Sequence, residues 1–351
     1  MEFVTKNAPH LRRPNASVIR MMRDVVIALS PLVLFALVVH GLTALWILLV
    51  AVVSMVATEY IYYQIIDKMN GEKFKINNKS FTVYNFSVLV SGLIYGLILP
   101  DEIPLVVVAI GGVVGVFLAK LIFGGMGQNI FNIAAFARVF VTLSFGTALV
   151  YAENIDSVLG ATPLGALSAN LFDASVVESY SYWTMFSGIG LPGSLGETSA
   201  LLILAGGLYL FLRKSFDIFV PLTYIGTVFL ISLGVMFTQD LGIWYPLTHL
   251  LSGGLMFGAI YMATDPISIP TTRPGRIYFA FGLGLLTFII RFFGDLPEGV
   301  VFAILIMNMF VPAIDYHKWA QSKFTPRSVS IFAVVVLISV ISILVGVHYV
   351  G

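Results

Sequence analysis

The chain has 351 residues, of which 58% are hydrophobic and 11% are charged. Soluble domains carry about 25% charged residues, so a water-soluble fold is excluded. The 19 basic and 18 acidic residues nearly cancel, which leaves no electrostatic footprint for a nucleic-acid partner. Because cysteine is absent, disulfides, thiolate metal sites and iron–sulfur ligation are excluded, and any redox chemistry requires an organic cofactor or haem. The five histidines form no pair at a spacing suited to haem.

Apolar stretches long enough to cross a bilayer, about 20 residues each, recur along the whole chain. Eleven candidates lie at 25–39, 43–66, 83–99, 104–122, 130–150, 198–212, 218–237, 246–263, 277–293, 299–315 and 328–349. Several are short or contain Gly, Pro or polar residues, which predicts one or two broken helices. The fold class predicted is therefore an all-α polytopic membrane protein.

The basic residues are distributed on one side of the membrane. If all eleven spans cross, 17 of the 19 Lys and Arg, Lys120 at the end of span four among them, belong to the side of the N-terminus, and the two left over, Arg138 and Arg291, lie within spans five and nine. Short basic loops stay in the cytoplasm. The sequence thus predicts a cytoplasmic N-terminus with a retained first helix, and it places 151–197 outside.

An internal repeat is indicated by two Phe-Gly pairs, Phe123-Gly124 and Phe293-Gly294, which are 170 residues apart and on opposite predicted faces. This spacing favours a ten-helix core built as two inverted five-helix repeats plus one extra C-terminal helix. The predicted units are a cytoplasmic arm (1–24), a first repeat (25–150), an outside loop (151–197), a second repeat (198–316) and a linker with the additional helix (317–351).

The outside loop contains the sequence Gly160-Ala161-Thr162-Pro163, and Asp156 lies six residues before Thr162. On composition alone, this stretch is typical of a turn. It also resembles the flavinylation site of the family that comprises the RnfD protein of Rnf complexes and the NqrB protein of the Na+-translocating NADH:quinone reductase. That resemblance implies that Thr162 is esterified to the phosphate of FMN. Asp156 matches the family pattern as well, whereas Leu159 stands where the family often has Ser.

Four further blocks resemble the same family in the same order. They are Gly-Gly-Met-Gly-Gln-Asn-Ile-Phe-Asn at 124–132, Gly-Ser-Leu-Gly-Glu-Thr-Ser-Ala at 193–200, Ala-Thr-Asp-Pro at 263–266 and Arg-Phe-Phe-Gly-Asp-Leu-Pro-Glu-Gly-Val at 291–300. Chain length and the modest N-terminal arm favour the RnfD branch. The eleventh span is an excess over the ten-helix core of the family.

The resemblance implies an electron-transfer subunit of an ion-translocating ferredoxin:NAD+ oxidoreductase in a prokaryotic plasma membrane. It implies covalent FMN, a second non-covalent flavin such as riboflavin, and coupling to Na+ or H+. The implied partners are an FMN-carrying subunit, iron–sulfur subunits, an exported flavin transferase and the lipid bilayer. A urea-transporter-like channel or permease without a redox cofactor is the alternative, because inverted five-helix repeats also build such pores.

Charged and amide side chains within the spans are further candidates, each with a structural alternative. Arg138 and Arg291 could hold a flavin phosphate or polarise an isoalloxazine, or each could be neutralised by a partner. Glu59 could bind a cation or pair with Arg138. Asn129 and Asn132 offer amides suited to an isoalloxazine edge, and they could equally cap span five.

Two more patterns lie at 193–197, directly before span six. Ser194 and Glu197 form an S-x-x-E pattern, which predicts a helix capping box. Free N–H groups at 193–196 are candidates to compensate the flavin phosphate, since the outside loop contains no Lys or Arg.

Overall fold

The computed structural model describes residues 18–71, 83–146, 164, 167, 172, 181–252, 254–294, 299–316, 320 and 322–350. Within these ranges the chain is helical, with turns between the helices and no strand. The predicted all-α class is therefore confirmed.

The helices lie close to the predicted spans. They are α1 (Val18–Met69), α2 (Ser87–Leu97), α3 (Leu105–Val116), α4 (Ile133–Ser144), α5 (Tyr182–Ser187), α6 (Ala200–Arg213), α7 (Phe219–Thr238), α8 (Trp244–Leu251), α9 (Leu255–Phe257), α10 (Arg273–Phe293), α11 (Gly299–Ile314) and α12 (Pro326–Val350). π-helical segments continue α3 over Phe117–Leu121 and α9 over Gly258–Met262. The short helix α5, within the predicted outside loop, was not expected.

Helix α1 contains the first two predicted spans, which meet at a break at Gly41. Gly41 has φ 62° and ψ −138°, a conformation that strongly favours glycine. The break separates a first arm (18–40) from a second arm (42–69). Beside it, the ring of His40 lies 3.0 Å from the carboxylate of Asp101, so the break is fixed to the segment that follows α2.

Only some helices have the length of a full membrane span. By length and composition, α1, α7, α10 and α12 could each cross a membrane, whereas α2, α4, α6, α11 and α3 with its π segment are shorter apolar helices. The predicted span 246–263 is divided between α8 and α9. The expectation of broken helices is therefore confirmed.

The backbone at the breaks is hydrogen-bonded across the molecule. After α2, the Leu97 carbonyl accepts a hydrogen bond of 2.8 Å from the N–H of Gly196. After the π segment that follows α9, the Met262 carbonyl accepts one of 3.2 Å from the side-chain amide of Asn132. An unpaired carbonyl in hydrocarbon costs several kcal/mol. Each interrupted helix is thus completed by a group from the other half of the chain.

The two halves begin at opposite ends of the bundle. Asp24, near the start of α1, accepts hydrogen bonds from Arg213 and Ser215 at the end of α6, at 3.3 and 2.8 Å. A Cβ on Gly206 of α6 would lie 2.8 Å from the carbonyl of Ala28, so the two helices are in close contact. The first arm of α1 and α6 therefore run antiparallel, as an inverted repeat requires.

Packing within the halves follows the same order. In the first, the second arm of α1 packs on α2 and α3, and α3 packs on α4. In the second, α7 packs on α10, and α10 packs on α11. Glycines allow the close approaches, because a Cβ on Gly115 would overlap Ala137 and one on Gly284 would overlap Thr227.

The predicted capping box at Ser194 and Glu197 is wrong. Helix α6 begins at Ala200, and its N-cap is Ser199, whose hydroxyl accepts a hydrogen bond from the N–H of Leu202. The N–H of Gly196 is already bonded to α2, so the chain at this point cannot yet be helical.

The additional C-terminal helix is confirmed as α12. It contacts α10 through Phe332, whose ring lies 4.9 Å from that of Tyr278. Further along, Leu344 contacts Gly234 of α7, and Val347 is fully buried. Most other side chains of α12 are exposed.

Candidate functional site

The proposed flavin attachment motif, Asp156 with Gly160, Ala161 and Thr162, lies outside the described residues. Described neighbours in the same loop are packed on the protein. Leu164 and Leu167 are buried, and the ring of Phe172 lies 6.0 Å from that of Phe292 near the end of α10. The described part of the loop thus contacts the end of α10 where Arg291 is located.

Arg291 lies in the last turn of α10, with only 3% of its surface exposed. Its Nη1 donates a hydrogen bond of 2.9 Å to the carbonyl of His249. The His249 ring packs between Tyr245 and Phe288, with centroid distances of 4.7 and 5.5 Å. The Arg291 guanidinium is therefore held beside a cluster of aromatic rings. The next residue, Phe292, is the one that contacts Phe172.

The segment before α6 lies at the same end of the bundle. Arg276, near the start of α10, forms an ion pair of 2.8 Å with Asp217, just after α6. The end of α10 and the start of α6 are therefore both at the opposite end. There the hydroxyls of Ser194 and Thr198 are buried and have no hydrogen-bond partner in the part of the chain that the structure describes. Buried polar groups usually have partners, and both hydroxyls can donate a hydrogen bond at this end of the bundle.

The backbone N–H groups at 193–196 were predicted to compensate a phosphate, but two of them already donate hydrogen bonds within the protein. The N–H of Leu195 donates to the Leu99 carbonyl at 3.1 Å, and that of Gly196 donates to Leu97. These two amides are consequently unavailable to an anion, and the hydroxyls of Ser194 and Thr198 are the better candidates.

A second polar region lies between the halves, at the end of the bundle where α1 starts. It is a cavity, partly open to solvent, between α1, α2, α4, α6 and the π segment after α9. Its polar lining residues are Ser87, Ser91, Asn129, Asn132, Ser215, Thr264 and Asp265. No Lys or Arg is among the described residues that line it.

Asn132 fixes one wall of this cavity. Its side-chain oxygen accepts from the N–H of Ala135 at 3.1 Å, so it is the N-cap of α4. Its amide nitrogen bonds Met262, and its backbone N–H donates to the side chain of Asn308 at 3.0 Å. Of the two roles considered for Asn132, contact with an isoalloxazine or capping of span five, the structure shows the helix cap. The amide nitrogen of Asn129 donates to the Phe131 carbonyl at 3.1 Å.

Asp265, from the Ala-Thr-Asp-Pro block at 263–266, lines this cavity, and the sequence assigned it no role of its own. It lies just after the π segment, where burial raises the pKa of its carboxyl group. The N–H of Ile267 and the hydroxyl of Ser268 donate to the carboxylate and oppose that effect. In the sequence, Asp265 is marked only by the Asp-Pro dipeptide at 265–266. The fold adds that Asp265 lines the same cavity as Asn129 and Asn132.

The buried charges of the first half form an ion pair. Glu59 in α1 and Lys120 in the π segment after α3 lie 3.2 Å apart, and their side chains are 0% and 1% exposed. The charge pattern placed Lys120 with the cytoplasmic loop residues, whereas it is buried. Arg138 in α4 is also buried, near Tyr95, and it is not among the residues that line the cavity.

The fold and these sites define a multi-pass, all-α membrane protein in which α1 and α6 run antiparallel beside a polar cavity, and which carries buried cations. Comparison with known sequences gives the family. The chain belongs to the NQR2, RnfD, RnfE family, whose model matches residues 4–323.

Individual relatives are subunits of oxidoreductase complexes. The D subunit of the proton-translocating ferredoxin:NAD(+) oxidoreductase complex of Clostridium ljungdahlii is 36% identical over 336 residues, 93% of this chain and 97% of the relative. The D subunit of the Na(+)-translocating complex of Acetobacterium woodii is 36% identical over 319 residues, 90% and 93% of the two chains. The B subunit of the Na(+)-translocating NADH-quinone reductase of Chromohalobacter salexigens is 38% identical over 255 residues, 69% of this chain and 60% of the relative. The family resemblance is thereby confirmed.

Proposed function

We propose that this chain is the membrane electron-transfer protein RnfD of an Rnf-type ferredoxin:NAD+ oxidoreductase complex in a prokaryotic plasma membrane. The observation that carries the proposal is similarity to RnfD relatives over about nine-tenths of the chain, together with Gly160-Ala161-Thr162. Electron flow through the protein is coupled to the translocation of Na+ or H+. An FMN-carrying subunit and iron–sulfur subunits supply and accept the electrons, because this chain has no cysteine for a cluster.

Thr162 carries FMN in this proposal. An exported flavin transferase catalyses the step in the outside loop: the Thr162 hydroxyl oxygen bonds to the flavin phosphate of an activated flavin nucleotide, the bond from that phosphorus to the donor's leaving phosphate group breaks, and the hydroxyl proton leaves with that group. Support comes from the residues around the described part of that loop. Arg291 can give an anionic phosphate charge-assisted hydrogen bonds, and the hydroxyls of Ser194 and Thr198 can donate to it.

A second, non-covalent flavin occupies the cavity between the halves. Its lining offers amide, hydroxyl and carboxyl groups that suit the edge of an isoalloxazine ring. Because the described lining has no Lys or Arg, the cavity is better suited to riboflavin, which has no phosphate, than to FMN. Asn129 and Asp265 are the residues that would contact the ring, while Asn132 holds the wall.

Detection of covalently bound flavin distinguishes the proposed redox function from that of a channel or permease. The chain is expressed with the flavin transferase, denatured, and examined for in-gel flavin fluorescence. We expect a fluorescent band for the parental chain and for Thr184→Val, a control at an end of the same loop. Thr162→Val should lose the band.

Two results would contradict the proposal in different ways. Fluorescence that persists in Thr162→Val would place the flavin on another residue. A parental chain without fluorescence, although the transferase modifies a known substrate in the same cells, would favour the permease.

A further inference from the structure

A large groove lies on the outer surface of the bundle, between α10, α11 and the beginning of α12. It has about 1770 Å³ of unoccupied space, including the part open to the surroundings. Its wall is mainly apolar and includes Tyr278, Phe281, Phe310, Ile331, Phe332 and Val335. Arg327 and Val335 both line it, so it follows α12 for about 12 Å at roughly 1.5 Å per residue.

Helix α12 touches the bundle at two points, one in the groove wall and one beyond the groove. Near its beginning, Phe332 packs on Tyr278 and Phe281, with ring distances of 4.9 and 5.3 Å. Near its end, Leu344 contacts Gly234. Small residues, Gly275 among them, line the space left between the helices.

Basic side chains surround one end of the groove. Arg327 lines it directly, and Arg273 and Lys323 line an adjoining hollow that shares Thr272 and Pro274 with it. All three are exposed, and none has a carboxylate partner in the part of the chain that the structure describes. By contrast, Arg276 in the first turn of α10 is neutralised by Asp217.

This arrangement matches the chemistry of an amphiphile, with a long apolar wall and cations at one end. We infer that the groove binds an anionic phospholipid, with an acyl chain along Phe281, Phe332 and Val335 and the phosphate between Arg273, Lys323 and Arg327. Basic pockets between membrane helices are suited to anionic headgroups. A free phosphate would leave the apolar wall uncovered, and an apolar protein helix would leave the three cations uncompensated.

The proposed lipid site assigns a role to α12, which lies beyond the part of the chain that the family model matches. The family model ends at residue 323, just before α12 begins at Pro326. Without α12 the groove would lose Arg327, Ile331, Phe332 and Val335. The helix therefore completes a lipid site on a surface of the core.

Native mass spectrometry of the full chain, released from nanodiscs with equal amounts of phosphatidylglycerol and phosphatidylcholine, tests the headgroup. We expect the parental chain to retain phosphatidylglycerol preferentially. Each cation near an anionic surface contributes a factor of about five, so Arg273→Gln/Lys323→Gln/Arg327→Gln should lower that preference roughly 100-fold. Arg23→Gln/Lys68→Gln/Lys214→Gln removes the same charge from exposed positions outside the groove and should keep it.

A second pair of variants tests the apolar wall without changing charge. Ile331→Trp should fill the groove and reduce the retained lipid, whereas Val329→Trp, at an exposed position that does not line it, should not. Equal retention of the two lipids by the parental chain, or equal loss in the groove and control variants, would overturn the inference. So would efficient cross-linking of a Val335→Cys variant to another protein of the assembled complex, because a protein helix would then occupy the groove.

Discussion

In the first half of the bundle the buried Lys120 forms an ion pair with a carboxylate. In the second half the buried Arg291 donates a hydrogen bond to a main-chain carbonyl. Lys120 and Glu59 lie 3.2 Å apart and both are fully enclosed. Arg291 donates to the neutral carbonyl of His249. The two halves have the same packing order, but these two buried cations donate to different acceptors, a carboxylate and a main-chain carbonyl.

In the proposed function, only the second of these two sites binds an external anion. An ion pair cancels its own charge, so the Glu59 and Lys120 site needs no external anion. Arg291 carries a positive charge and lies beside Phe292, which the loop residue Phe172 contacts. In the proposed function, this places a cation at the end of the second half where the FMN phosphate arrives.

The largest expected effect comes from breaking the ion pair. Lys120→Met leaves the Glu59 carboxylate buried, which should lower the free energy of unfolding by about 3–5 kcal/mol. Arg291→Met leaves the His249 carbonyl without its donor, so about 1–3 kcal/mol should be lost. Unfolding in mixed detergent micelles, followed by helical circular dichroism, measures both.

The double variant Glu59→Gln/Lys120→Met serves as the control, since it removes both charges. We expect it to recover most of the stability lost in Lys120→Met. If Lys120→Met destabilises the protein no more than Arg291→Met does, the two halves do not differ in the way described.

The next effect concerns electron transfer and sharpens the role of Arg291. Arg291→Lys keeps the charge but loses the planar guanidinium, so FMN should remain attached while its reduction slows. Arg291→Gln should be slower still, by about 10- to 100-fold relative to the parental chain, the equivalent of one charge-assisted hydrogen bond. Stopped-flow flavin absorbance in the assembled complex reports the rate. Parental rates with normal flavin content in both variants would make Arg291 a structural charge.

The smallest effect compares two helix caps. Asn132→Ala removes the cap of α4 and also the bond that joins it to Met262 of the other half, so about 2 kcal/mol should be lost. Ser199→Ala removes only the cap of α6 and should cost about 1 kcal/mol. The same unfolding assay ranks them. An equal cost would show that the contact between the halves adds nothing to the cap.

The sequence predicted those features that depend on local pattern. Apolar runs placed α7, α10 and α12 within four residues of their observed bounds, whereas α1 begins seven residues before the first predicted span. The motif at Gly160 to Thr162 selected the family. The break at Gly41 also fell between two predicted spans, because a polar and glycine-containing stretch interrupts the apolar run.

Features set by contacts between distant segments could not be predicted. Lys120 is buried because Glu59, 61 residues away, faces it, and no local pattern records that pairing. The cap of α6 moved to Ser199 because Gly196 is bonded to the end of α2. The cavity depends on Asn129 and Asp265, which come from different halves and meet only in the fold.

The location of the flavin is the central claim, and peptide mass measurement tests it most directly. The chain is purified from the assembled complex and cleaved at glutamate, which releases the segment between Glu153 and Glu178. We predict that this segment carries the mass of FMN less one water and that fragmentation assigns it to Thr162. An unmodified segment in the protein of an active complex, or an FMN mass on any other residue, would contradict the account.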